Sequence, residues 1–261
     1  MIIYSKVLCF SECPYKYKLR YLDKLETKFD EKATNALVLG TAIHEGIEHR
    51  SVEHAVENYK SNYSIWNANN EVEVLKLETI LPIAFRDIPE GEYEYKLLDG
   101  DFIGFIDLLV KVGDTTYDLY DFKYSNNVAH YKQSGQIHVY KYYYEKITGD
   151  TIRNMYYAIV PKNTAALNKM SEIELRESIA TLKDEHIKFI PIEYDKQQVN
   201  FFFARKALML KATTFEKKNS SKCIWCEYKK YCDSCGEDKS ELKVKKDEPI
   251  QKNEVYEVGL W

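Results

Sequence analysis

The chain has 261 residues, 45% of them hydrophobic and 30% charged, the balance of a soluble globular protein with a substantial core. A formal charge of −4 argues against a wholly basic nucleic-acid binder, while leaving room for a local basic surface. No run of about 18 apolar residues occurs, and MIIYSKVLCFSECPYKYKLR lacks the long apolar stretch and small-residue cleavage site of a secretion signal. A cytoplasmic protein without a membrane span is expected.

Residues 5–25 read as a helix, interrupted or capped near Pro14, and further helices follow over about 36–50 and 52–66. EVEVLKLETILPIAF is helical and RDIPEGE breaks it. The period then changes. YEYKLL, FIGFIDLLVKV and TTYDLYDFK are rich in β-branched and aromatic residues and are separated by DGD and GD turns, which predicts three antiparallel strands. HYKQSGQIHVYKYYYEKIT predicts an amphipathic helix closed by Gly149, and NMYYAIVP predicts a buried strand. Two helices are expected over about 170–189 and 196–214, followed by a cysteine-rich stretch. Residues 236–261 are charged and poor in core residues, and read as a disordered tail through which protein partners could bind. The expected architecture is α/β, a mixed sheet flanked by helices in one domain over 1–235. That domain is helical to about 90, has its core over about 91–165, and ends in helices and a cysteine cluster. No G-x-x-x-x-G-K-[ST] loop is present, so no ATP-driven motor is expected.

In LYDFKYSN, Asp121 and Lys123 occupy alternate positions of one strand and share a face. Asp107, in GFIDLL on the preceding strand, can bring a second carboxylate to the same end of the sheet. Two close carboxylates repel unless a cation lies between them, and oxygen ligands of this kind suit Mg²⁺ or Mn²⁺. A lysine beside them would stabilise negative charge developing on a phosphate, so the group suits metal-dependent phosphodiester hydrolysis. His44 in GTAIHEG could add a nitrogen ligand, with Gly40 one turn earlier allowing its helix close to the sheet. The stretch HEGIEH is not H-E-x-x-H: its histidines, His44 and His49, do not share one helix face, which rejects a zinc protease.

Taken in order, Gly40/His44, Gly104/Asp107, Asp121/Lys123 and Gln136/Tyr140 form G-x-x-x-H, G-x-x-D, D-x-K and Q-x-x-x-Y. This series resembles the PD-(D/E)XK nuclease superfamily in its RecB-like branch, and the resemblance spans residues 40 to 140. It implies a restriction-endonuclease-like fold and a DNA nuclease. His44, Asp107 and Asp121 would ligate the metal with the backbone carbonyl of Phe122, Lys123 would position the attacking water, and Gln136 and Tyr140 would face the site and the DNA. A glutamate on the first strand would join them, either Glu92 or Glu94. Tyr124, His130, Tyr131 and Lys132 are candidates for holding a DNA strand by charge and stacking. An exonuclease on single-stranded DNA or DNA ends is expected; the alternative is a non-catalytic DNA-binding or assembly subunit that keeps the fold.

CIWCEYKKYC and the upstream SECPYKYKLRY look like the iron–sulfur subset of that branch, which includes AddB-type nuclease domains and CRISPR-associated adaptation exonucleases. The resemblance implies a 4Fe-4S cluster on Cys13, Cys223, Cys226 and Cys232, a C-terminal clasp that ties the two ends of the domain together. Cys9 competes with Cys13 for the first position. Cys235 completes a second C-x-x-C, so Zn²⁺ on the four C-terminal cysteines is the rival.

Overall fold

The computed structural model describes residues 1–28, 35–126, 128–164, 166 and 168–245. The first segment forms α1 (Tyr4–Glu12), α2 (Pro14–Tyr17), a π-helical turn (Lys18–Leu22) and the short strand β1 (Leu25–Thr27). The helix expected over 5–25 therefore breaks at Cys13, which is extended and caps α2 through its thiol, with Pro14 at the first helical position.

Three helices come next. They are α3 (Ala36–His49), started by the Asn35 side chain, α4 (Val52–Ser61), started by the Ser51 side chain, and α5 (Ala68–Asp87). Gly46 sets the packing of all three. A Cβ there would stand 2.8 Å from Ala55 on α4 and 2.8 Å from Leu81 on α5, so only a bare backbone lets them meet.

The meander follows as expected, with β2 (Glu92–Asp99), β3 (Phe102–Gly113) and β4 (Thr116–Tyr124) paired antiparallel. The predicted single helix from His130 is two: α6 (Val128–Tyr131) and α7 (Gln136–Thr148), the second closed by Gly149 at φ 78°. Strand β5 (Thr151–Val160) then runs parallel to β4, a pairing that requires a crossover and gets it from α7. This connection brings the start of α7 back to the end of β4.

Beyond β5 the structure departs from the expected long helix over 170–189. It contains α8 (Glu172–Ala180), a 3₁₀ turn (Thr181–Asp184) and the strand β6 (Lys188–Ile192), which pairs antiparallel with β5. Pro191 cannot continue a helix but is tolerated on an edge strand, where one side of the ladder faces away from the sheet. The chain continues through α9 (Lys196–Lys211), a 3₁₀ turn (Ser221–Trp225), α10 (Lys229–Asp233) and β7 (Leu242–Val244).

The five-stranded mixed sheet has the order β2-β3-β4-β5-β6. One core packs α1, α7 and α9 against the sheet around Phe102, Val139, Tyr143 and Phe202, and a second packs α3, α4, α5 and α8 around Ile43, Leu77, Phe122 and Leu175. The segment expected to be a structureless tail is corrected over its first part. Leu242–Val244 pairs with Leu25–Thr27, and Leu242 packs on Leu19 and Tyr228. Residues 246–261 of that tail lie outside the described residues. Among the described residues, no helix is long and apolar enough to cross a membrane.

Candidate active site

The registers Tyr93↔Leu108 and Tyr95↔Ile106 on β2 and β3, and Leu108↔Tyr120 on β3 and β4, place Glu94, Asp107 and Asp121 in one row across three strands. The β3–β4 ladder reaches only to Leu108↔Tyr120, and past it the Phe122 N–H donates to Asp107 Oδ2 at 2.5 Å. A carboxylate thus satisfies a backbone donor that the neighbouring strand does not. Glu94 has φ 52°, a left-handed conformation inside a strand. Such a residue costs roughly 1–2 kcal/mol, and strain of this kind gathers at functional sites.

His44, on α3, stands over the row. Its Nδ1 lies 3.7 Å from Asp107 Oδ2 and its ring meets Phe122 edge-on at 5.7 Å. One ligand atom each from His44, Glu94 and Asp107 falls within a sphere of mutual distances under 4.8 Å. Burial, assisted by the nearby Lys123 ammonium, lowers the His44 pKa to about 3, so the imidazole is neutral and keeps a lone pair at neutral pH. Burial raises the Asp107 carboxyl well above the usual range, and the adjacent Asp121 and Glu94 raise it further. Asp121 is also raised by burial, with Lys123 opposing. For Lys123, burial acts to lower the pKa, but Asp121 and Asp107 outweigh it, and the ammonium persists. Burial of the two aspartyl groups and their mutual repulsion thus favour a proton or a cation between them.

Lys123 is ion-paired with Asp121 and donates to Gln136 Oε1 at 3.5 Å, while Gln136 Nε2 donates to the Tyr140 hydroxyl at 3.0 Å. Its Nζ also lies 5.7 Å from the Tyr131 ring centroid and 5.9 Å from that of Tyr157. The lysine is thus fixed on several sides. Gly104 belongs to the same construction. A Cβ there would stand 2.9 Å from the Tyr140 ring, so the glycine of one motif makes room for the tyrosine of another.

Several expectations change. Nothing lies within 4 Å of a Cβ built at Gly40, so it does not serve helix–sheet packing; the close approach on α3 is at Gly46, which the sequence did not single out, and it is between helices. Of the two glutamates, Glu94 reaches the site and Glu92 is exposed. Asp121 stands beside the three-ligand group with its carboxylate on Lys123, and Phe122 meets the group through its N–H. Tyr124 and Tyr131 are 8% and 4% exposed, which corrects their expected stacking role: they face protein, Tyr131 against Tyr157 and Tyr124 under Lys162. Lys132 is exposed, and the side chain of His130 lies outside the described residues.

Cys13, Cys223, Cys226 and Cys232 line one cavity of about 120 Å³. The Cys13 and Cys223 sulfurs accept from the backbone N–H groups of Lys16 and Ser220, each at 3.4 Å. Lys16, Lys217, Lys218, Lys222 and Lys229 border the cavity. Contacts beside it join residues near the start of the chain to the segment after α9: Tyr15 N–H to Glu216 O at 3.1 Å, Lys218 Nζ to Ser11 O at 3.1 Å, and Lys16 to Glu227 at 3.2 Å. Cys9 lies instead in the core, where burial pushes its thiol up to about 12, and Cys235 is exposed.

The family profile of the PD-(D/E)XK nuclease superfamily matches residues 4–233. No curated protein matches the sequence significantly. Among solved structures, the chain is similar to a presumed exonuclease from Eubacterium rectale, with 12% identity and a TM-score of 0.58 over 98% of this chain and 92% of that one. At that identity the likeness shows the fold, and it is the same one: a mixed sheet flanked by helices.

Proposed function

The chain belongs to the PD-(D/E)XK nuclease superfamily, and from that premise we propose that it is a divalent-metal-dependent deoxyribonuclease, acting as an exonuclease on single-stranded DNA or DNA ends. One observation carries this reading: Glu94, Asp107 and Asp121 stand in one row across three strands, the two aspartates buried with their carboxyls pushed up by burial and mutual repulsion, and a neutral imidazole at the row's edge. His44, Glu94 and Asp107 would hold Mg²⁺ or Mn²⁺, with Asp121 flanking them. When bound, the cation supplies charge stabilisation at the phosphate and favours ionisation of water.

The chain's own residues do the rest. Lys123, held by Asp121 and Gln136, aims an ammonium at the place where a water nucleophile and a phosphoryl oxygen meet, and stabilises the charge that develops there. Gln136 and Tyr140 fix that ammonium from the α7 side. Exposed Lys132, just before α7, would take a phosphate of the bound strand. The name of the Eubacterium rectale relative supports exonuclease over endonuclease action.

The test is cleavage of labelled linear and circular DNA, single- and double-stranded, with Mg²⁺ or Mn²⁺ and with a chelator. Linear DNA should be shortened from its ends and circular DNA left whole. Asp121→Asn and Lys123→Ala should each lose about 100-fold or more. Near-normal cleavage by either variant would overturn the site assignment, and nicking of circles would make the protein an endonuclease.

The RecB-like branch and its 4Fe-4S cluster are part of the same proposal. Four thiolates are the usual donor set for such a cluster, and Cys13, Cys223, Cys226 and Cys232 share one cavity while Cys9 and Cys235 stay away from it. The bordering lysines would offset the negative charge of a thiolate-ligated cluster, and the backbone N–H groups on Cys13 and Cys223 are partners of the kind that tune one. Zn²⁺ at the C-terminal cysteines is the rival that measurement must separate.

A further inference from the structure

Where α3 turns into α4, a second group of metal-ligating side chains gathers. Glu45 and His49 lie one turn apart on α3, and His54 sits in the first turn of α4. Arg50 at the end of α3 is left-handed, with φ 46° and ψ 43°, which reverses the chain in two residues. Ser51 then caps α4 by accepting from the His54 N–H at 3.0 Å, which fixes the residue that bears the imidazole. As a result, both imidazoles reach the same carboxylate oxygen. Glu45 Oε2 is 3.3 Å from His54 Nε2 and 3.6 Å from His49 Nε2, and the two rings are 4.0 Å apart. All three ligand atoms lie within 4.8 Å of one another.

These separations have a simple chemical meaning. With metal–ligand bonds of roughly 2.0–2.1 Å, a tetrahedral ion spaces its ligand atoms by roughly 3.3–3.4 Å. The Glu45–His54 distance of 3.3 Å matches an edge of such a tetrahedron, and the Glu45–His49 distance of 3.6 Å is slightly longer, so a small side-chain adjustment completes the geometry. Two imidazoles and one carboxylate do not suit Mg²⁺ or Ca²⁺, which prefer all-oxygen sets, but they do suit borderline ions such as Zn²⁺. The packing beneath is fixed, because Gly46 seats α4 directly on α3 through Ala55.

We propose that Glu45, His49 and His54 form a Zn²⁺-class metal site, separate from the nuclease centre, that pins the α3–α4 corner and leaves one coordination position open. Since α3 also carries His44, an ion at the corner would stiffen the helix that presents that imidazole. The site uses the E-x-x-x-H half of HEGIEH, and its third ligand comes from across the turn.

The test is Zn²⁺ binding to the intact, anaerobically purified protein in excess Mg²⁺, measured by equilibrium dialysis with elemental analysis. His49→Ala, His54→Ala and the double variant are compared with wild type. Both histidines are more than 40% exposed, so their loss removes no core packing. Wild type should hold one more zinc per chain than the double variant, with each single variant weakened at least tenfold. Zinc should raise the wild-type Tm and leave the double variant's unchanged. Zinc taken up by the cysteine cavity would appear equally in all four proteins and cancel in the comparison. Equal zinc content and equal Tm response in wild type and double variant would overturn the site.

Discussion

Glu92 and Glu94 carry the same side chain two positions apart on β2, yet their surroundings differ. Glu94, left-handed and opposite Asp107, lies within ligand distance of Asp107 and His44; Glu92 points to solvent. Removing its charge should weaken the hold on a divalent cation while leaving Lys123 and its partners in place. Glu94→Gln is expected to cut cleavage at limiting Mg²⁺ by about tenfold or more, with part of the loss recovered at high Mg²⁺, because fewer charged ligands mean weaker binding. Glu92→Gln should match wild type across the whole metal titration. The comparison is a metal-dependence curve for each variant, and identical curves for Glu94→Gln and wild type would remove Glu94 from the site.

At the scale of elements, the end of α5 is tied to the strand that the sequence hid. Asp87 accepts from Arg86 Nε at 2.7 Å and from the Ile187 N–H at 2.9 Å, and meets His186 Nδ1 at 3.0 Å, just before β6 begins. These donors, Arg86 first, bring the Asp87 pKa down to about 2 although partial burial opposes them. A carboxyl depressed in the folded state stabilises above its unfolded pKa of about 3.9 and loses that contribution as pH falls through the folded value. Asp87→Asn should therefore cost roughly 1–3 kcal/mol near neutral pH. The gap to wild type should then narrow between about pH 4 and pH 2. Denaturant unfolding at several pH values checks this, and a gap that stays constant down to pH 2 would rule out the carboxylate as its source.

On the scale of the whole molecule, the first and last described segments meet at the cysteine cavity and again at the β1–β7 pair, where the Tyr228 hydroxyl donates to Leu25 O at 2.6 Å. A cluster on Cys13, Cys223, Cys226 and Cys232 would close a loop from the first helices to the last. A cross-link over so long a loop restricts the unfolded chain strongly, so its loss should destabilise the entire domain. Anaerobically purified protein should be brown and contain iron. Cys13→Ala should lose the colour and lower the Tm, whereas Cys235→Ala should do neither. Colourless protein that holds zinc and is sensitive at Cys235 but not at Cys13 would end the iron–sulfur reading and leave the nuclease reading standing.

Much of this was legible in residue order alone. Gln136 and Tyr140 entered through the family resemblance, whereas the change from helical to alternating period announced the meander, Gly149 announced the end of α7, and Asp107, Asp121 and Lys123 could be picked out from strand alternation and the hairpin between their strands. Those are local properties, set by the backbone geometry of neighbouring residues. What the sequence left open depends on pairing at a distance. Glu94 rather than Glu92 meets Asp107 and His44 where β3 and α3 pack beside β2, and β6 forms by pairing with β5. The burial of Tyr124 and Tyr131, and the meeting of Glu45, His49 and His54, arose where separate elements pack. An apolar or polar side chain reads the same on paper whichever neighbour it finds, and only the packed fold supplies that neighbour.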